Sequence, residues 1–131
     1  MSARFSTTLS IFVASAVAAQ PLFSVRDVPR VPPERDPMAL GIAPMNHCNV
    51  TYPEAERQRG QAGWVLLRFT ISANGQVERL EVMDSSPAGT FDEAALAGIG
   101  DCRFKVITPE GVSVAGSDLE LTVLFDPSEF D

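Results

Sequence analysis

The sequence predicts a small α+β domain, an antiparallel sheet of about three strands packed on one face by two helices. Three observations carry that reading. From Gly63 to Ser72 the chain alternates, with Val65, Leu67, Phe69 and Ile71 on one face and Trp64, Leu66, Arg68, Thr70 and Ser72 on the other. Asn74-Gly75 follows where such a strand would reverse, and this pair tolerates the positive φ that a type I′ hairpin turn requires at both central residues. A second alternating run, Leu119 to Phe125, arrives after two segments with helix-start signals have passed.

Size and charge bound what the domain can be. At 131 residues and 45% hydrophobic, the chain holds one small globular domain plus appendages. Its net charge is -7, and no Lys or Arg follows Lys105, whereas Glu110, Asp118, Glu120, Asp126, Glu129 and Asp131 do. Nucleic acid is excluded as a partner, because phosphate binding needs a basic stripe. Neutral or basic partners suit the C-terminal part.

Residues 1–19 read as a secretory signal: Arg4 supplies the positive start, Leu9 to Val17 is largely apolar, and Ala16-Val17-Ala18 or Val17-Ala18-Ala19 offers small residues for cleavage. A retained short anchor is the alternative. Either way the expected location is the periplasm. Residues 20–47 then carry Pro21, Pro29, Pro32, Pro33, Pro37 and Pro44 without an apolar period, which predicts an extended linker.

The domain is expected over 48–126, with 127–131 as an acidic tail. Thr51-Tyr52-Pro53-Glu54 offers a cap, a proline and an acid for a helix start, and Arg57, Arg59 and Gly60 suit its end. After the first strand and the hairpin, Gln76 to Met83 returns with Leu80 and Val82 in phase and Val77 out of phase, as a bulge near the turn would produce. Ser85-Ser86-Pro87-Ala88-Gly89 breaks the strand, and Thr90-Phe91-Asp92-Glu93 reads as a capping box. Phe91, Ala95, Ile99 and Cys102 form that helix's apolar stripe, while Gly98 and Gly100 signal close backbone approach or an early end. Arg103 to Val106 runs extended, Pro109-Glu110-Gly111 turns, and Leu119, Leu121, Val123 and Phe125 point inward from the last strand. Such a sheet has open edges, where a partner's strand can be added.

In this order and spacing, Tyr52-Pro53-Glu54-Ala55, Gly63 to Phe69, Asn74-Gly75-Gln76-Val77, Ser85-Ser86, Phe91 to Leu96, Arg103-Phe104 and Leu124-Phe125 resemble the C-terminal domain of the TonB family. The resemblance spans about residues 48 to 126. It implies a non-enzymatic periplasmic binding module, without cofactor, that docks the TonB box of outer-membrane transporters by strand addition. Carried onto this chain, it makes Glu120, Leu121, Thr122, Val123, Leu124 and Phe125 the docking strand and Asn49 a polar neighbour of the bound peptide. It further implies an inner-membrane proton-channel complex as partner if residues 1–19 stay as an anchor; the open edges of the sheet separately allow two copies of the chain to pair. The spacer looks too short to cross the periplasm, and the only histidine, His47, lies outside the N-terminal segment. A stand-alone adaptor therefore remains beside the transport role.

The chain departs from the family at Cys102, where tryptophan is common. Two cysteines in an exported domain this small predict a Cys48–Cys102 disulfide. Redox or metal chemistry by His47, Cys48 and Cys102 is the rival, but there is no C-x-x-C and the ligand spacing is poor for zinc. Ser85-Ser86 lacks a base within reach by sequence and suits a turn. The acidic pairs Asp92/Glu93 and Glu78/Glu81 fit solvated faces. Trp64 and Arg68 share the outer strand face, either stacked as ring and cation or as cover for the sheet.

Overall fold

The computed structural model of the protein describes residues 28–45 and 48–128. The expected export segment 1–19, residues 20–27 of the expected linker, His47 and the last residues of the acidic tail lie outside them. In chain order come a 3-10 turn Pro33–Arg35, helix α1 Glu54–Arg59, strand β1 Gly63–Ile71, strand β2 Val77–Ser86, helix α2 Asp92–Gly100 and strand β3 Leu119–Phe125. The sheet is antiparallel in the order β2-β1-β3. The α+β architecture expected from the sequence is the one observed.

Strand β1 is central, paired with β2 along one edge and β3 along the other, and is the most buried of the three. Val65, Leu67, Phe69 and Ile71 are fully buried on its inner face. One core cluster forms at the Gly63 end of the sheet, where Val65 and Leu67 meet Tyr52, Phe91, Ala95, Ile99, Val123 and Phe125. Phe91 stacks on Phe125 with ring centroids 4.4 Å apart, and the Tyr52 ring meets Phe91 and Phe125 edge-on at 5.6 and 5.7 Å. Such ring pairs contribute about 0.5–1.5 kcal/mol each beyond the area they bury. Helix α1 buries none of its own residues, so Tyr52 just before it supplies the anchor. The Tyr52 hydroxyl donates to the carbonyl of Gln61, just beyond the helix, which closes α1 at both ends.

A second cluster fills the other end, which α2 does not reach. Phe69, Ile71 and Leu119 are covered there by Phe104, Val114, Cys102 and Ile42. The linker expectation needs correction at this point. Pro37 and Ile42 are buried, Pro44 bridges to Phe104, Met45 N–H donates to the Arg103 carbonyl at 2.6 Å, and Lys105 N–H donates to Ala43 at 3.0 Å. Residues 37–45 thus belong to the folded body. A single Ile in a proline-rich stretch has no period to betray it, yet it fills a slot the helices leave open.

Other local expectations are refined. The hairpin turn is not type I′, since only Gly75 has positive φ (87°) and Asn74 does not. Gly75 N–H donates to Ser72 at 2.9 Å and Ser72 N–H to Gln76 at 2.9 Å, the pattern of a three-residue loop with glycine in the left-handed position. A Cβ at Gly75 would strike the Phe104 carbonyl, so only glycine fits. The suspected bulge is present. The pairing shifts between Arg68 and Thr70, where Arg79 has φ 54°, and again between Leu66 and Leu67. The first shift turns Val77 inward beside Leu80. The Thr90–Glu93 capping box does not form: Phe91 is the N-cap, with no side-chain cap bond. The stripe Phe91, Ala95, Ile99 and Cys102 is buried as expected, and Gly98 permits close approach, since its Cβ would collide with Val50.

Cys48 and Cys102 are joined by a disulfide, with Cα atoms 4.9 Å apart across a sequence separation of 54. The bond ties the approach to α1 onto the end of α2. In the chain-entropy account a loop of this length contributes about 4 kcal/mol. Both cysteines are taken up, and Cys102 is buried.

Burial raises the Tyr52 pKa above 10.0, with the Asp126 and Glu56 charges adding to it. A raised folded-state pKa means that the stability linked to this proton is fully present below pH 10 and is lost as pH rises through the folded value. Tyr52 is the only tyrosine, so phenolate absorbance reports it alone. The expected titration midpoint lies above 10 in the folded protein and falls to about 10 in denaturant. Unfolding free energy should decline above pH 10 more steeply than in Tyr52→Phe.

Candidate functional site

The sheet has two edges, and they differ physically. Strand β2 is interrupted by two register shifts, carries Arg79 at positive φ, and displays exposed Glu78, Arg79, Glu81 and Asp84. Bulges and charges are the devices that discourage another strand from pairing. Strand β3 is regular. Its pairing with β1 runs without a shift from Gly63 opposite Phe125 to Phe69 opposite Leu119. It is the edge suited to accepting an extended chain.

Alternation places the β3 side chains. Leu119, Val123 and Phe125 are buried and Leu121 half-buried, all packed on the inner core, which holds the strand flat and leaves its main chain at the rim. Glu120, Thr122 and Leu124 lie in the outward phase, opposite Arg68, Leu66 and Trp64 of β1. Outward does not mean exposed here. Glu120 is only 7% exposed, because its Oε2 accepts from Arg68 Nη2 at 3.1 Å and from Arg35 Nη1 at 3.3 Å. Thr122 is half-buried, and its hydroxyl donates to the Pro29 carbonyl at 3.5 Å. Leu124 is 40% exposed.

The expected set is therefore brought together on one strand, but its members differ in access. Leu124 is open, while Glu120 is enclosed by arginines and is not a free outward contact. Arg68 directs its guanidinium to Glu120, the choice electrostatics favours over a neutral ring, and Trp64 is buried on the same face. Asn49 stands apart. It is exposed between Cys48 and Tyr52, and no hydrogen bond joins it to β3 among the described residues. Tyr52, three residues further on, packs its ring against Phe125 of β3. Arg35 and Pro29 were not foreseen. The Arg68–Glu120 pair could have been read from the matching outward phases of the two strands, but nothing in the sequence places Arg35 on the same carboxylate.

Residues 49–127 match the family model described as Gram-negative bacterial TonB protein C-terminal. Protein TonB of Pseudomonas aeruginosa is 30% identical over 74 residues, which cover 56% of this chain and 22% of that protein. The chain thus matches under a quarter of its curated relative's length. Among solved structures, the solution structure of the Pseudomonas aeruginosa TonB C-terminal domain aligns with a TM-score of 0.54 at 24% identity, over 66% of this chain and 86% of that one. The TonB2 protein of Vibrio anguillarum aligns with a TM-score of 0.52 at 25% identity, over 63% and 78%.

Removing the Glu120 carboxylate leaves Arg68 facing Arg35 across a half-buried site. Glu120→Ala should lower stability by about 1–2 kcal/mol, above an exposed ion pair because the carboxylate is enclosed, and below a fully buried one because both arginines reach solvent. Urea denaturation of the two proteins checks this, and the gap should narrow in about 1 M salt.

Proposed function

The chain belongs to the family of Gram-negative bacterial TonB C-terminal domains, and from that premise we propose that it docks extended peptide segments along the outer edge of β3. The family is one of envelope-associated transport energy transducers, not of enzymes. Among the described residues no helix is long and apolar enough to cross a membrane. The partner proposed is the TonB box of an outer-membrane transporter, and the proposed compartment is the periplasm.

One observation carries the reading: an unbroken seven-residue strand, Leu119–Phe125, anchored by its inward side chains and, among the described residues, laddered to β1 as the last strand of the sheet. A peptide added there gains main-chain hydrogen bonds at each alternate residue, worth little individually and enough collectively for a reversible contact. Side chains then select among peptides. Leu124 is the exposed outward position, so an apolar residue opposite it is favoured, and cross-strand pairs of this kind contribute about 0.2–1 kcal/mol. The same edge would serve a second copy of the chain, which makes self-pairing a competitor of docking. Coupling to an inner-membrane proton-channel complex belongs to this proposal only if residues 1–19 are retained as an anchor.

Nuclear magnetic resonance titration with synthetic TonB-box peptides tests the assignment. The largest amide shifts are expected over residues 119–125, with smaller ones around Asn49 and Tyr52. Shifts confined to β2 or to the exposed face of α2, or none at all, would reject it.

A further inference from the structure

The proline-rich segment touches β3 at two points. Arg35 reaches Glu120, and the Pro29 carbonyl accepts from Thr122. The order is reversed on the two chains, so residues 29–35 pass β3 in the antiparallel sense. Yet this stretch cannot become a full added strand. Pro29, Pro32 and Pro33 have no N–H to donate, and the chain turns into a 3-10 helix at Pro33. It lies against the outward side chains Thr122 and Glu120 of β3 without completing the sheet.

Its attachment is also divided into a firm part and a loose part. Residues 37–45 are held by the buried Pro37 and Ile42 and by main-chain bonds to Arg103 and Lys105. A tight turn follows Asp36, whose carbonyl accepts from Leu40 N–H at 2.9 Å and whose carboxylate accepts from Met38 N–H at 3.0 Å. Upstream of that turn the Arg35 side chain is 46% exposed, and an ion pair so open to water is weak. Pro29, Val31 and Pro32 are half-buried, but no residue of 29–35 belongs to either core cluster.

Resting on the docking reading above, we propose that residues 29–35 are an intramolecular occupant of the β3 flank, clasped by Glu120, which an incoming peptide displaces. The uncovered end at Leu124 receives the peptide first. Extension toward Leu119 then requires the clasp to open, because cross-strand neighbours of Thr122 and Glu120 would share the space the segment holds. A peptide with a full set of N–H groups makes the ladder that the prolines cannot. The occupant lowers the apparent affinity by the fraction of molecules in which it is seated.

The test compares the full chain with Arg35→Gln, which opens the clasp and leaves Arg68 on Glu120. A synthetic TonB-box peptide is titrated into both, and the rate of tryptic cleavage at the Arg30–Val31 bond is followed with and without it. Arg35→Gln should bind about two- to five-fold more tightly, the range expected for a partly exposed ion pair. Cleavage at Arg30 should be faster in the variant, and in the natural protein it should accelerate when peptide is added. Equal affinity in the two forms, with cleavage at Arg30 unchanged by peptide, would overturn the occupant and leave edge docking standing. Absence of peptide binding in both forms would overturn both.

Discussion

Everything in this fold depends on β1 being bonded along both edges while β3, among the described residues, is laddered along one. Nine residues of β1 supply the apolar inner face, the partner for the hairpin return and the ladder for the last strand. A sheet of three strands has two edges to dispose of, and the chain treats them differently. Bulges and surface charge blunt β2, whereas β3 keeps a straight main chain, with Val123 and Phe125 fastened into the aromatic cluster. An edge left regular beside one made irregular is the physical basis for assigning binding to β3.

Covering the inner face with so little helix has its own consequence. Helix α2 shields the Val65–Leu67 end, and α1 contributes no buried residue. The far end is closed by pieces without regular structure: Ile42 from the proline-rich segment, Phe104 beside Phe69, and Val114 from the loop before β3. The Cys48–Cys102 disulfide lies between the two halves, since Cys48 packs against both clusters. A body of this size gains from such a staple because its core alone offers limited burial.

Much of this was legible in the sequence, and the exceptions have identifiable causes. The strands and the α2 stripe follow from alternation and from a spacing of four, signals that burial enforces directly. Asn74-Gly75 marked the hairpin but not its turn type, because glycine in the left-handed position serves two loop geometries. Thr90 and Glu93 have the spacing of a capping box, yet the helix begins after Phe91, whose buried ring fixes the entry of the chain. The outward phase of Glu120 was correct, and its exposure was not. Its burial depends on Arg35, 85 residues away, a contact no local pattern encodes. The structural role of residues 37–45 was hidden for the same reason: a slot created by distant elements received an isolated isoleucine.

The central claim is that β3 is the edge built to accept another chain, and a structure of the protein bound to a TonB-box peptide tests it most directly. The account predicts a four-stranded sheet in the order β2-β1-β3-peptide, with main-chain hydrogen bonds from the peptide to residues within Leu119–Phe125. A peptide bound along β2, or against the helices with β3 unpaired on its outer side, would contradict it.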